Sequence, residues 1–145
     1  MNHRLFALLA VGALLACHGE PLAPSTGHGL TLSLALSATQ LPLGASDTIA
    51  VTITNTNSYA VTLNAGGCPL LFYVTDSRGV TVVPSGGGWY CVAIFTRMTL
   101  APGVGQTRTF VWQTNTVASG HYNVYGSFSA EGVYLETSRA AVELK

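Results

Sequence analysis

Apolar and polar side chains alternate strictly along the segment LTLSLALS, residues 30–37, where every second position is leucine. A two-residue period places the leucines on one face of a β-strand and the small or hydroxyl-bearing side chains on the other. The same period returns in DTIAVTITN, with Ile49, Val51 and Ile53 on the apolar face. The pattern predicts two half-buried strands, each with one face that other parts of the chain must cover.

Further strands are predicted at intervals of roughly ten residues, separated by turn-forming segments. They are AVTLNA with Val61 and Leu63, PLLFYVT with Phe72 and Val74, VTVV, CVAIF, RTFVWQT with Phe110 and Trp112, GHYNVYGSF with Tyr122, Val124 and Phe128, VYLETS and AAVEL. The sequence DSRG, residues 76–79, indicates a hairpin turn. No segment after residue 30 has the 3.6-residue period of an amphipathic helix. The seven to nine strands predict an all-β fold of two packed antiparallel sheets. An up-and-down barrel is the alternative.

The amino-terminal segment is typical of an export signal. One arginine, Arg4, is followed by LFALLAVGALLA, a run without a polar side chain. A membrane-spanning helix needs about 20 apolar residues, so this run is too short to span a bilayer. We therefore expect residues 1–16 to be a signal peptide.

The segment LLAC, residues 14–17, resembles the lipobox of bacterial lipoproteins, with leucine at −3 and a small residue at −1 relative to a cysteine. The resemblance implies that the Cys17 thiol takes a diacylglycerol, that cleavage precedes Cys17, and that the new amino terminus is acylated. Two or three acyl chains anchor a protein firmly at a membrane, whereas one holds it only marginally. In a bacterium with two membranes, His18 in place of an aspartate favours the outer membrane. The alternative is an ordinary signal peptide with an incidental cysteine.

The segment that follows Cys17 separates the signal from the predicted strands. HGEPLAPSTGHG has two prolines and three glycines and lacks apolar periodicity. We therefore expect residues 17–29 to form a lipidated flexible tether. Residues 30–145 are then a single domain, long enough to bury a core.

Charge and residue types exclude several functions. Only 8% of residues are charged, and six Lys and Arg balance six Asp and Glu. Without a basic patch, nucleic-acid binding is not expected. His121 lies at the start of a strand, where a surface histidine is the expected role, and Asp47 and Asp76 are expected to cap turns. No nucleophile elbow or paired acids are evident, so we expect no enzyme activity and no cofactor.

Cys68 and Cys91 form an even pair once Cys17 is assigned to lipid. Exported proteins enter oxidising surroundings, so the pair predicts a disulfide. Two free thiols are the alternative. A metal site is not expected, because neither cysteine belongs to a CxxC motif or lies near a histidine in sequence.

The segment PSGGGWYC, residues 84–91, is unlike the rest of the chain. Its glycines give mobility and its two aromatic rings suit a recognition surface. The predicted partner-binding residues are Gly86, Gly87, Gly88, Trp89 and Tyr90. The alternative is that one of the rings folds back to plug the core.

Several segments together resemble the BsuPI-type intracellular proteinase inhibitor domain in order and spacing. They are LPLG followed by DTIAVTITNTNSYAVTL, then FYVTDSRGV, IFTRMTLAPG, FVWQ and SGHYNVYGSF. The likeness spans nearly all of residues 30–128 and implies an immunoglobulin-like sandwich that inhibits a serine protease. The chain departs from the family in its export signal and in a short stretch between Phe95 and Leu100, and no residue-level inhibitory motif carries over.

The sequence thus predicts an envelope-anchored lipoprotein whose β-sandwich domain binds another protein, as a proteinase inhibitor by the family resemblance. The predicted partners are the membrane, reached through the lipid on Cys17, and a second protein such as a serine protease. A structural, adhesion or assembly module of the cell envelope without inhibitory activity is the alternative.

Overall fold

Strands account for most of the chain in the computed structural model, which describes residues 24–145. The described elements are β1 (Ser25–Gly27), β2 (Leu30–Leu36), β3 (Gln40–Leu41), β4 (Ser46–Asn55), β5 (Val61–Asp76), β6 (Thr81–Val83), β7 (Thr96–Leu100), β8 (Gly105–Gln113), a 3₁₀ turn (Thr114–Thr116), β9 (Gly120–Ala130), β10 (Val133–Glu136) and β11 (Ala140–Leu144). Eight of these strands have four or more residues, and the others have two or three.

The strands form two sheets that pack face to face. The first sheet has the order β1-β2-β4-β8, and the second has the order β3-β11-β9-β5-β6, with β10 paired to β9 and β7 paired to β5. The pairings are antiparallel except for the short parallel pair between β3 and β11. The all-β fold of two packed sheets predicted from the alternation is therefore confirmed, and so is the immunoglobulin-like sandwich that the family resemblance implies.

The core lies between the sheets and consists of the side chains on the inward half of each alternating strand. Its largest fully buried members are Trp112, Phe72, Phe128, Leu30, Leu32, Ile49, Ile53, Leu70, Val51, Val74, Val124 and Val142. Complete burial of one such side chain contributes about 1.5–3 kcal/mol relative to exposure. The predicted inward positions of β2, β4 and β9 are thus confirmed.

Both aspartates predicted to cap turns do so. The Asp47 carboxylate accepts hydrogen bonds from the Ser37 and Ala38 amides at 3.0 and 3.2 Å, which closes the turn after β2. The Asp76 carboxylate accepts bonds from the Arg78 and Val80 amides, each at 2.9 Å, in the β5–β6 hairpin. The Val80 amide and the Arg78 side chain lower the pKa of Asp76 below its ordinary value.

The prediction that CVAIF forms a strand is wrong. Residues 91–95 pair with no strand of the described chain, and β7 begins only at Thr96. A disulfide ties Cys91 to β5, and the Ile94 amide turns back to the Val92 carbonyl oxygen at 2.8 Å. These two constraints hold the segment away from the ladder that β7 joins.

AVTLNA and PLLFYVT, predicted as two strands, form one. Together they make the long strand β5, in which the pairing register with β9 shifts between Ala65 and Leu70. Gly66, Gly67, Cys68 and Pro69 occupy this shift, hereafter the β-bulge, in which four residues of β5 lie opposite the single residue Ser129 of β9. The single strand β5 pairs with β7 before the bulge and with β6 after it.

The last part of the predicted tether, residues 17–29, is folded. Ser25–Gly27 pair with Leu30–Leu32 across a turn at His28 and Gly29, both of which have positive φ. Residues 25–27, which were predicted to belong to the tether, therefore belong to the first sheet. Cys17, the predicted signal peptide and the first part of the predicted tether lie outside the described residues. Within residues 24–145, no helix has the length and apolar character needed to cross a membrane.

Candidate protein-binding surface

The predicted disulfide between Cys68 and Cys91 is confirmed. Its Cα atoms are 5.7 Å apart and the cysteines are separated by 23 residues. It fastens the β-bulge of β5 to the segment that precedes β7. A side chain at Gly67 would meet the Val92 carbonyl oxygen at 2.4 Å, so glycine at this bulge position lets the two backbones lie together.

Residues 84–95, hereafter the 84–95 loop, cross an open part of the β5 edge. The β7 ladder ends at Ala65 and the β6 ladder begins at Val74 on that side. Between them, β5 has no strand partner on that side among the described residues. The indole N–H of Trp89 reaches into this gap and donates to the Phe72 carbonyl oxygen at 2.8 Å.

Trp89 is half-buried against the core. Its ring centroid lies 5.2 Å from that of Phe72 and 5.9 Å from that of Phe110, and the two phenylalanines are 4.9 Å apart. This tilted cluster closes one side of the sandwich between β5 and β8. Of the two alternatives for the aromatic rings, folding back against the core therefore describes Trp89.

Tyr90 has the opposite environment, because its side chain is fully exposed. Apolar exposure continues along residues 90–95, where Val92 is 68% and Phe95 is 83% exposed. Single apolar side chains on a surface are common, but a contiguous group marks an interaction surface more often than chance. Trp89 and the disulfide hold the base of this group.

The three glycines lie at the exposed tip of the loop. Gly86 and Gly87 have φ values of 83° and 91°, a backbone conformation that disfavours residues with a Cβ. A Cβ at Gly86, Gly87 or Gly88 would meet no atom within 4 Å. The five residues predicted to bind a partner thus divide into an open tip, a half-buried anchor at Trp89 and an exposed ring at Tyr90.

A cleft of about 730 Å³ lies beside the exposed group, over the β-bulge. The disulfide and residues 92–95 form one wall, and residues 129–131 form the other. Asn64 also lines the cleft and donates to the Glu131 carboxylate at 2.8 Å. Sequence reasoning missed this cleft, because Asn64 and Glu131 are distant in sequence.

Chemistry within residues 24–145 is sparse. No group of three or more His, Cys, Asp or Glu side chains in this part of the chain is placed to hold a metal ion. His121 is exposed at the start of β9.

Comparison with solved structures shows similarity of fold. No family model matches the chain, and no curated protein matches it. The chain is similar to the CARDB domain of the PF1109 protein from Pyrococcus furiosus, solved in complex with di-metal ions, with a TM-score of 0.53 and 14% identity over 86% of this chain and 91% of that one. It is also similar to the sporulation control protein Spo0M from Bacillus subtilis, with a TM-score of 0.52 and 9% identity over 81% of this chain and 49% of that one.

A β-glucosidase from Listeria innocua also matches, with a TM-score of 0.49 and 21% identity, and covers 83% of this chain. This chain spans only 16% of the β-glucosidase. The similarities to the CARDB domain and to Spo0M show an immunoglobulin-like β-sandwich fold, and function has to be argued from the surface itself.

Proposed function

We propose that the chain is an exported, lipid-anchored protein whose β-sandwich binds another protein through the 84–95 loop and performs no chemistry itself. One observation carries the proposal: a loop fastened at Cys91 and Trp89 presents Tyr90, Val92 and Phe95 to solvent. Burying such side chains in a partner is favourable, because it removes apolar surface from water.

Fastening the loop before binding favours affinity. Each flexible side chain or loop segment that is ordered on binding costs free energy, and a loop already held by covalent and aromatic contacts avoids part of that cost. Tyrosine suits the exposed position because it offers a large contact area with few rotatable bonds.

Proteinase inhibition is the specific form of binding that we propose. It rests on the resemblance of the chain to the BsuPI-type inhibitor domain, and the loop supplies a physical route. A pre-ordered loop with an exposed aromatic ring can occupy the substrate cleft of a serine protease without being a substrate itself. Inhibition would then result from tight occupancy of the substrate cleft by the loop.

The test is a panel of purified serine proteases assayed with the lipid-free domain, wild type and Tyr90→Ala. We expect at least one protease to be inhibited, and Tyr90→Ala to weaken the inhibition by about 30-fold or more, since aromatic hot spots contribute about 2–4 kcal/mol. Tyr59→Ala is the matched control, because Tyr59 is 64% exposed on the turn between β4 and β5.

Equal inhibition by Tyr90→Ala and wild type would remove the loop from the inhibitory surface. If the panel is untouched while the domain captures a protein from envelope extract, the binding module stands without the inhibitor role. The alternative of an adhesion or assembly module then replaces it.

Anchoring through Cys17 is the remaining part of the proposal. It is supported by the signal-like start of the chain and by the Cys68–Cys91 disulfide, which suits an oxidising compartment outside the cytoplasm. Cys17→Ser should move the protein from the membrane fraction to the soluble fraction or leave it unprocessed, because the thioether to the lipid cannot form. Intact mass spectrometry of the native protein is the second measurement. An unmodified amino terminus would refute the anchor.

A further inference from the structure

The outer edge of β8 is long and unprotected. β8 pairs with β4 over nine continuous positions without a register shift, from Ser46↔Gln113 to Thr54↔Gly105, and ends the first sheet. The other outermost strands among the described residues have at most five residues each: β1, β3, β6, β7 and β10. Proteins usually shorten, bend or charge such edges, because a free edge recruits another strand.

The backbone of β8 shows which peptide groups are free. The Ser37 amide donates to the Thr48 carbonyl oxygen at 2.9 Å, so even-numbered residues of β4 bond toward β2 and odd-numbered ones toward β8. The odd-numbered residues of β4 pair with Gln106, Arg108 and Phe110 of β8. The alternate residues of β8, Thr107, Thr109 and Val111, therefore direct their N–H and C=O groups outward, away from the sheet.

Apart from Arg108, this edge has none of the usual protective devices. The strand contains no proline, and its single charged residue is Arg108. The Arg108 guanidinium lies 5.1 Å from the centroid of the Phe110 ring, so it extends along the core side of the strand. An incoming strand would meet open peptide groups on the outer side.

A second cleft, the edge cleft, lies directly beside β8. Its volume is about 320 Å³, and its walls include Val82, Val83, Pro84, Trp89, Val111 and Trp112. This volume is at the small end of the ~300–1,000 Å³ range of ligand pockets. Among the described residues, no charged side chain lines it. Trp89 belongs to both the edge cleft and the 84–95 loop, so the two surfaces are continuous.

We infer that an extended segment of the partner protein adds to β8 as a fifth strand of the first sheet. This inference rests on the proposed protein-binding function and names the form of the partner. An added strand lies about 4.8 Å from β8, and every second side chain points to the core side, over the edge cleft. The segment carries an apolar side chain there and an acidic one on the same face, opposite Arg108.

A random-peptide display library is the probe, selected against the folded lipid-free domain. The sequences of the enriched peptides should have a two-residue period that places an apolar and an acidic side chain on the same face of the added strand. On peptide binding, amide hydrogen exchange should slow at Thr107, Thr109 and Val111. Failure to enrich any peptide, or protection at other strands, would overturn the inference.

Thr109→Pro is the critical variant. The outward N–H of Thr109 makes no sheet bond, so proline is tolerated there as on other edge strands, while it removes a donor and blocks the incoming backbone. Because of these two effects, peptide affinity should fall by about tenfold or more. A tenfold loss of affinity corresponds to about 1.4 kcal/mol. Thr109→Ala keeps the N–H and should bind like wild type.

Arg108→Glu provides a second test that leaves the backbone unchanged. It should shift the library from acidic to basic peptides. Equal binding by wild type, Thr109→Pro and Arg108→Glu would overturn the inference. So would a wild-type dimer in sedimentation that Thr109→Pro dissolves, because a second copy would then occupy the edge. If Tyr90→Ala lost partner binding and Thr109→Pro kept it, strand addition to β8 would be refuted and the proposed function would stand. If the domain bound no protein at all, the proposed function itself would be refuted.

Discussion

Trp89→Ala should lower the free energy of unfolding by about 2–3 kcal/mol, below the ~3–5 kcal/mol of a fully buried tryptophan because Trp89 is half-buried. The change removes ring contacts with Phe72 and Phe110 and the hydrogen bond to the Phe72 carbonyl oxygen. It also exposes the open part of the β5 edge that the indole covers. Urea denaturation followed by circular dichroism measures the effect.

Two further variants separate the causes. Trp89→Phe retains an aromatic ring and loses the indole N–H, so it should cost only about 1 kcal/mol, the usual net value of one hydrogen bond. Tyr90→Ala should leave the unfolding midpoint within experimental error, because the Tyr90 ring is fully exposed. If Trp89→Ala and Tyr90→Ala proved equally harmless, Trp89 would not anchor the loop.

The contrast between adjacent aromatic residues also shows where sequence reasoning stops. Both Trp89 and Tyr90 follow three glycines, and nothing in the amino-acid sequence indicates which ring packs inward. The Trp89 ring packs on Phe72 and Phe110, which belong to strands on opposite sheets. Only the pairing of distant strands creates the gap into which the indole N–H fits.

Alternation predicted the core well because it reports which face of a strand is apolar. Ile49, Val51 and Ile53 are all fully buried, as their two-residue period requires. The same reasoning failed for CVAIF, whose composition is equally typical of a strand. Composition does not reveal whether a neighbouring strand is available, and there the disulfide at Cys91 determines the path.

The order of the strands within each sheet could not be predicted from the sequence either. RTFVWQT reads as an ordinary half-buried strand, yet β8 ends the first sheet and exposes one edge along its length. Side-chain periodicity carries information about the two faces of a strand and none about its two edges. The edge cleft and the larger cleft over the β-bulge follow from that arrangement and could be found only in the folded chain.

Removing the disulfide, through Cys68→Ser together with Cys91→Ser, should lower the free energy of unfolding by about 3 kcal/mol. In the chain-entropy model, that is the value for a closed loop of this length, because the crosslink restricts the unfolded chain. The native fold should survive, since the core between the sheets does not include either cysteine. Urea denaturation of the double variant against the oxidised wild type measures the loss.

Reduced wild-type protein is the matched control, because it has the same sequence without the crosslink and should unfold at nearly the same urea concentration as the double variant. The double variant should also bind its partner more weakly than its folded fraction accounts for, because residues 90–95 are then held by Trp89 without the crosslink to β5. Unchanged stability would mean that the crosslink does not restrict the unfolded chain. Lower stability with unchanged affinity per folded molecule would mean that fastening the loop at Cys91 does not contribute to recognition.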